Sequence, residues 1–538
     1  MSFNFDGGTD NGGRKSLVNA VASKGAMKCR LARVLAVVVV LSTATLSLLW
    51  SHSKLMSVDD MYEFQTDSVR SLGELVQVQR TWPISLDPPL NHALSHVAMT
   101  AFGAGEFESR LPALLGFLLM QVCLFFFVRN LAGERAGVVA AAYPVLTTAL
   151  NFSVKVRPYG LMLGLYALAL WCWQVASRQA AHMQRIWALV GLSAAIASTI
   201  NVHYYGILLL VPICAAEGFR SLQQRRIDWP MCAAICVGMA GFAATWPFLQ
   251  ALNVFRKNYF NLGMVSLKDI TWAYQSIFVD YSWLRMSVPH LHGVVLVAFA
   301  AAIVWGCARV MRGGLGLRIP AAEWVLVLTL AALPFYGYLL ARFVTHSVEM
   351  RSVLGTVVAI SAMLAVAISP WLGRDRVFAA VMVVLGVAII GTCAARIHAE
   401  QRKTADALAS LVLPEKVKAA LIANPDGRLY IQNLAPFEQD HYYETDPDVR
   451  TRMTIVYSQA EELRWNRHDT MALTAMHMAH FTGLPVVSYE ELKTKQGEHM
   501  FVLYNTAWDW TDEAFSEDGA RVRLVGRAMG GDVVTVEF

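Results

Sequence analysis

Eleven apolar runs, each close to the length that crosses a bilayer, constrain this 538-residue chain more than any other feature. They fall at 33–50, 110–128, 136–152, 158–175, 186–201, 204–219, 231–250, 291–310, 322–341, 351–370 and 377–395. A helix needs about 20 predominantly apolar residues to cross roughly 30 Å of hydrocarbon. Lipid offers no partner to open backbone groups, so such runs have to be helical. With 56% hydrophobic and only 16% charged residues, the composition excludes an ordinary soluble globule.

Basic residues near span ends mark the cytoplasmic side. Arg30 and Arg33 precede the first run, and Arg129/Arg135, Arg178/Arg185, Arg220/Arg225/Arg226, Arg309/Arg312/Arg318 and Arg374/Arg376 recur at every second turn. This alternation requires the fifth and sixth runs to be separate spans that meet at His203-Tyr204-Tyr205-Gly206. The outer face then holds loop 51–109, the Lys155–Tyr159 turn, the His203 turn, the 251–290 loop, the 342–351 turn and the tail. Residues 1–29, rich in Gly, Asn and Ser, read as a disordered cytoplasmic tail rather than a cleaved signal. Residues 30–396 form the membrane domain. The eight cysteines all lie in or beside spans, which points to packing rather than a disulfide framework or metal knuckle. The net charge of +5 is accounted for by the cytoplasmic turns, and no nucleic-acid motif is present.

From 397 to 538 the texture is that of a soluble α/β domain. Strands are expected at 428–432, 453–457, 485–488, 500–504, 521–525 and 532–537, and helices near 405–422, 459–464, 469–482 and 509–518. The expected result is a small sheet of mixed direction covered by helices. It contains no Gly-rich phosphate loop and no nucleophile elbow, which suggests a recognition or lid role.

Chemistry is expected on the outer face. Asp59 and Asp60 follow the first span and Asp87 lies within the same loop; ionisable groups at a membrane face are kept where they line a wet site. Adjacent carboxylates raise each other's pKa, which suits a general base.

Five motifs carry a family resemblance: Val58-Asp59-Asp60-Met61-Tyr62, Asp87-Pro88-Pro89-Leu90, Ser109-Arg110-Leu111-Pro112-Ala113-Leu114, Val156-Arg157-Pro158-Tyr159-Gly160 and Val202-His203-Tyr204-Tyr205-Gly206. In this order, and over residues 30–370, the chain resembles bacterial GT-C superfamily glycosyltransferases of family 39, the protein O-mannosyltransferase-like group. The resemblance implies an inner-membrane enzyme that moves a hexose or pentose from a polyprenyl-phosphate carrier to a lipid, glycan or protein acceptor outside. The family's first-loop Asp-Glu is Asp59-Asp60 here, and a late Arg-Tyr signature appears as Arg351-Ser352, without the ring.

The leaving lipid phosphate is already acidic, so the reaction needs a base for the acceptor hydroxyl more than an acid for departure, and one-step displacement inverts the anomeric centre. Asp59 is expected as that base, with Asp60 the second catalytic candidate. Asp60 or Asp87 would orient the acceptor or hold a divalent cation such as Mg or Mn. Asp87, Lys155, Arg157, Tyr159, His203, Tyr204 and Arg351 are the expected substrate-binding residues, the arginines for their bidentate fork. Blander roles stand beside these: a helix cap for Asp59, snorkelling for Arg157, Arg351 and Lys155, and core packing for His203. Arg256 and Lys257 would steer the anionic carrier or simply be solvated. His92 with His96, and His477 with His480 near His468 and Asp469, have ligand-like spacing that also fits packed helix faces. The aromatic stretch 267–283 reads as an interfacial segment. A lipid or solute transporter, or a non-catalytic sensor with an outer binding domain, are the alternative readings. A transporter should carry midplane polar sites and internal repeats, and a sensor should not need Asp59.

Overall fold

The computed structural model describes residues 11–178, 181–255, 258–259, 265–278, 289–313, 318–346, 349–424, 426–504, 506 and 508–538. Arg256, Lys257 and the 279–283 end of the aromatic stretch lie outside them. Five helices open the chain: α1 (Asn11–Ser53), α2 (Val58–Asp67), α3 (Leu72–Thr81), α4 (Pro89–Phe102) and α5 (Glu106–Ala132). Residues 11–28, read from composition as an irregular tail, are the first part of α1. Their Ala, Lys, Leu and Val content, with no proline, favours helix over the scattered glycines.

Among the described residues eight helices are long and apolar enough to cross a membrane, including 29–53 of α1 and all of α5. Two further segments qualify as bent pairs, Glu134–Leu146 with Thr148–Val154 (74°) and Ala321–Ala331 with Leu333–Thr345 (51°), and Thr356–Leu372 is apolar but shorter. Every apolar run seen in the sequence therefore falls on an apolar helix. The bends have local causes. Thr147 is extended after Tyr143-Pro144, and Pro334 opens the second half of the other pair. His203 is also extended, at φ −157° and ψ 135°, and it separates His182–Val202 from the segment beginning at Tyr204.

The helix Tyr159–Ser177 crosses α5 at very close range. A Cβ on Gly160 would stand 2.3 Å from the Ala113 carbonyl, and one on Gly164 2.3 Å from the Gly116 carbonyl. Small residues permit this backbone approach in the membrane core. It also seats the turn before Tyr159, which carries Lys155 and Arg157.

The last apolar helix, Asp375–Leu411, runs well past residue 396 before the soluble domain begins. That domain holds β1 (Leu429–Ile431), β2 (Met453–Tyr457), β3 (Val486–Ser488), β4 (Glu498–Leu503), β5 (Arg521–Ala528) and β6 (Gly531–Glu537). Their order is β3-β2-β1-β4-β6-β5; the first four are parallel, and β6 is antiparallel to both β4 and β5. All six strands stand where the sequence put them, within a few residues. Alternate residues of β1 feed two cores: Leu429 and Ile431 join Phe437, Met453 and Met500, while Tyr430 joins Phe501, Trp510 and Phe515.

Three helices of this domain were not anticipated, Leu434–Tyr443 and the short Pro447–Arg450 and Tyr489–Lys493. Leu434–Tyr443 leaves β1 under an Asn433 cap, with Pro436 in the first turn, where the missing N–H costs nothing. It lies against α2: Tyr442 packs edge-on against Phe64, Gln439 donates to the Met56 carbonyl at 2.6 Å, and the Tyr443 hydroxyl accepts the Met56 N–H at 2.7 Å. His480 stacks on Trp82, and His477 bonds the Pro83 carbonyl, so these histidines fasten the domain to the first outer loop.

Within this contact Glu438 is 2% exposed. Neither of its oxygens makes a well-directed hydrogen bond among the described residues, the Gln65 amide being the neighbour that favours its charge. Burial pushes the carboxyl up to about 8. The folded protein therefore keeps a proton that an unfolded glutamate, with a pKa of about 4.3, releases. Its contribution is full below the unfolded value and is lost as pH rises through about 8. Glu438→Gln should melt with the wild type in acid and above it in alkali, because the amide is buried in the same way but has no proton to lose. Parallel melting curves across this range would refute the protonated assignment.

Candidate active site

The site starts from one face of α2. Asp59, Glu63 and Asp67 are four residues apart and so line up along the helix, whereas the adjacent Asp60 points about 100° away. That angle divides the acidic pair. The Asp60 carboxylate turns back to accept the N–H and hydroxyl of the capping residue Ser57, at 2.9 and 2.7 Å, and takes the Val156 N–H at 3.0 Å. It is a capping box that also ties α2 to the turn before Tyr159. The cap expected for Asp59 belongs to Asp60, which does not share the helix face of Asp59, Glu63 and Asp67.

By fixing Val156, Asp60 delivers the next residue. Arg157 reaches Glu63 at 2.6 Å and Asp87 at 3.7 Å. Behind it His92 stands between two carboxylates, 3.0 Å from Glu63 and 2.6 Å from Asp67, and Ser85 donates to Glu63 at 2.8 Å. His96 bonds the Asp67 carbonyl. The side chains of Glu63, Asp67 and His92 are wholly buried. Burial disfavours the charged imidazole, but Glu63 and Asp67 more than reverse this and hold the His92 pKa above its usual value. The result is a buried row of alternating acidic and basic side chains, Asp67, His92, Glu63, Arg157, Asp87, in which burial raises the carboxyls of Glu63 and Asp67 against the pull of His92.

At the open end, Asp59 pairs with Arg351. Burial raises its carboxyl pKa, yet Arg157 and then Arg351 outweigh burial and hold it down to about 2. The adjacent-carboxylate argument thus gives the wrong sign, because Asp59 faces two guanidiniums instead of Asp60. Arg351 also grips Glu349, at 2.6 Å from Nε and 2.9 Å from Nη2. The aromatic ring absent beside Arg351 in sequence is supplied by Tyr159, whose ring lies 5.9 Å from the Arg351 guanidinium and 5.8 Å from that of Arg157.

His203 faces Asp87 at 3.5 Å and packs on Tyr159. Its Nδ1 accepts the Tyr205 N–H, which puts the ring proton on Nε2, toward Asp87. Burial lowers its pKa to about 4, so the ring is neutral. The Tyr204 hydroxyl is buried without a hydrogen-bond partner among the described residues. Lys155 lies over the Phe152 ring, beside the row and not in it. Asp60 is engaged by Ser57 and Val156, and Asp87 by Arg157 and His203; among the described residues no group of three or more His, Cys, Asp or Glu side chains is arranged to hold a metal ion.

The five-residue turn 155–159 and the loops near 87, 203 and 351 thus meet α2 at one corner. Residues 87–249 match the dolichyl-phosphate-mannose-protein mannosyltransferase family. The matched segment contains four of the five motifs named above, with Asp87, Arg157 and His203 among its residues, and it stops short of Asp59 and Arg351. No curated protein matches the chain in sequence. Among solved structures, ArnT from Cupriavidus metallidurans bound to undecaprenyl phosphate is 16% identical with a TM-score of 0.41, over 93% of this chain and 97% of that one. The Archaeoglobus fulgidus oligosaccharyltransferase in complex with Zn and sulfate is 12% identical with a TM-score of 0.45, over 85% of this chain and 68% of the other. The S. cerevisiae protein O-mannosyltransferase Pmt1-Pmt2 complex bound to the sugar donor is 11% identical with a TM-score of 0.32, over 42% of this chain and 33% of the other.

Glu63, Asp67, Ser85 and Glu349 were not anticipated as members of the site. A signal was available for the first two: on a ten-residue helix with four acidic residues, three at intervals of four share a face.

Proposed function

We propose that the chain is an integral membrane glycosyltransferase that takes a sugar from a polyprenyl-phosphate carrier and passes it, with inversion, to a hydroxyl acceptor on the outer face. The observation that carries this reading is Asp59, a partly exposed carboxylate set against two guanidiniums that share one tyrosine ring. A base for the acceptor and a cationic cradle for a departing phosphate are the two things the reaction needs.

Arg351 and Arg157 hold the donor phosphate, with Tyr159 as their floor. His203 offers a neutral N–H where a second positive charge would have to be paid for by another buried carboxylate, and Asp87 fixes both it and Arg157. Asp59 takes the acceptor proton. The soluble domain, fastened to α2 and the first outer loop, borders the acceptor side; its Met471 sulfur accepts the hydroxyl of Tyr62, on α2, at 3.8 Å.

The direct test supplies purified protein in lipid nanodiscs with polyprenyl-phosphate sugars and follows release of polyprenyl phosphate. Absence of any carrier turnover over a panel of hexosyl and pentosyl donors, with acceptors of each class, would reject the assignment. The topology is tested separately. The basic turns place the N-terminus inside and the tail outside, so a periplasm-active reporter fused after Phe538 should be active and a cytoplasm-active one silent. The reverse pattern would remove Asp59 from the face where the carrier sugar is presented.

A further inference from the structure

Arg157 and Arg351 differ in what they are free to do. Arg157 is 11% exposed and bound by the fully buried Glu63 and by Asp87, so its position is fixed by groups that cannot move. Arg351 and Asp59 are 23% and 37% exposed at the reachable end of the row. Arg351 has two anionic partners of unequal grip. Glu349 takes both Nε and Nη2, whereas Asp59 is held by Nη1 alone. A bidentate carboxylate is the stronger partner. A third anion arriving at this guanidinium therefore displaces Asp59 before Glu349.

Resting on the donor reading above, we propose that Asp59 and the carrier phosphate compete for Arg351, so that binding of the donor itself releases the base that the reaction uses. With Arg351 engaged elsewhere, Asp59 keeps the partial burial that favours taking a proton and loses one of the cations, Arg157, Arg351 and Lys155, that oppose it. A carboxylate too acidic to act as a base alone becomes competent in the donor complex. The step then balances: the acceptor oxygen bonds the anomeric carbon, its proton passes to Asp59, and the anomeric carbon–oxygen bond breaks with its electron pair going to the phosphate. The diester monoanion becomes a monoester dianion, which strengthens its hold on Arg351 until the carrier leaves. Departure returns Arg351 to Asp59.

The competition makes a prediction opposite to that for an ordinary active-site carboxylate. In nanodiscs, at fixed ionic strength, Asp59→Asn should bind a polyprenyl monophosphate more tightly than the wild type, by roughly two- to fivefold, the range for a partly exposed ion pair. Arg351→Gln should bind more weakly, and adding Asp59→Asn to it should change nothing further. A gain of affinity cannot come from misfolding, so the first variant serves as its own control. Equal or weaker binding by Asp59→Asn would overturn the competition, as would a persisting gain in the Arg351→Gln background. Failure of the wild type itself to bind would instead remove the carrier reading on which the proposal rests.

Discussion

Asp59→Asn is expected to lose sugar transfer by about 10²–10⁴-fold, the usual contribution of a positioned general base. The substitution keeps the size of the side chain and one acceptor oxygen for Arg351, so the fold should survive. Asp59 is partly exposed and its loss leaves no buried charge stranded. The variant should therefore insert, purify and melt close to the wild type while transferring almost nothing. Asp60→Asn should behave in the opposite way. Its carboxylate closes the capping box and receives Val156, so loss should lower the melting temperature through a cap worth about 0.5–2 kcal/mol, with transfer reduced only as far as Arg157 is displaced. Equal transfer by wild type and Asp59→Asn, measured as carrier phosphate released, would reject Asp59 as the base.

The second large effect is expected at Arg157. Truncation to Ala removes charge-assisted donors from the phosphate cradle, for which about 10²–10³-fold in turnover is typical. It also leaves Glu63 with His92 and Ser85 alone and Asp87 with His203 alone, and breaking a buried pair on one side costs about 3–5 kcal/mol. The two losses can be separated. Adding Glu63→Gln to Arg157→Ala should recover part of the melting temperature, because one under-compensated buried carboxyl is gone, but none of the turnover. Arg157→Lys should fail as well, since a point charge on a flexible stem cannot meet Glu63 and Asp87 in two directions at once. Recovery of transfer in the Glu63→Gln double variant would show that Arg157 matters for folding alone.

Much of this was legible in the chain itself, and the parts that were not share a cause. The apolar runs are local signals of great strength, and all eleven became apolar helices. The strands of the soluble domain were equally local. Asp59, Arg157 and Arg351 stood out as charges on one face of the bilayer, and the structure brings them together. What escaped was direction around a helix and partnership at a distance. Asp60 and Asp59 look equivalent in a string of letters, yet an angle of about 100° sends one to a cap and the other to the site. Glu63 looks like an ordinary solvated residue until His92 from α4 and Arg157 from the 155–159 turn arrive to bury it. Tyr159 replaces a ring missing beside Arg351 from nearly two hundred residues away. The Leu434–Tyr443 helix was hidden by Pro436 and by a composition that reads as loop.

The two hydrogen bonds between Met56 and the Leu434–Tyr443 helix join residues 387 and 383 positions apart. A ribosome finishes Met56 long before Tyr443 exists, and each later span must be threaded before the partner emerges. The start of α2 therefore reaches its final form only after residue 443 has been made. A half-made chain lacks the contacts that hold Met56, and the helix that bears Asp59 stays unclamped until synthesis is nearly done.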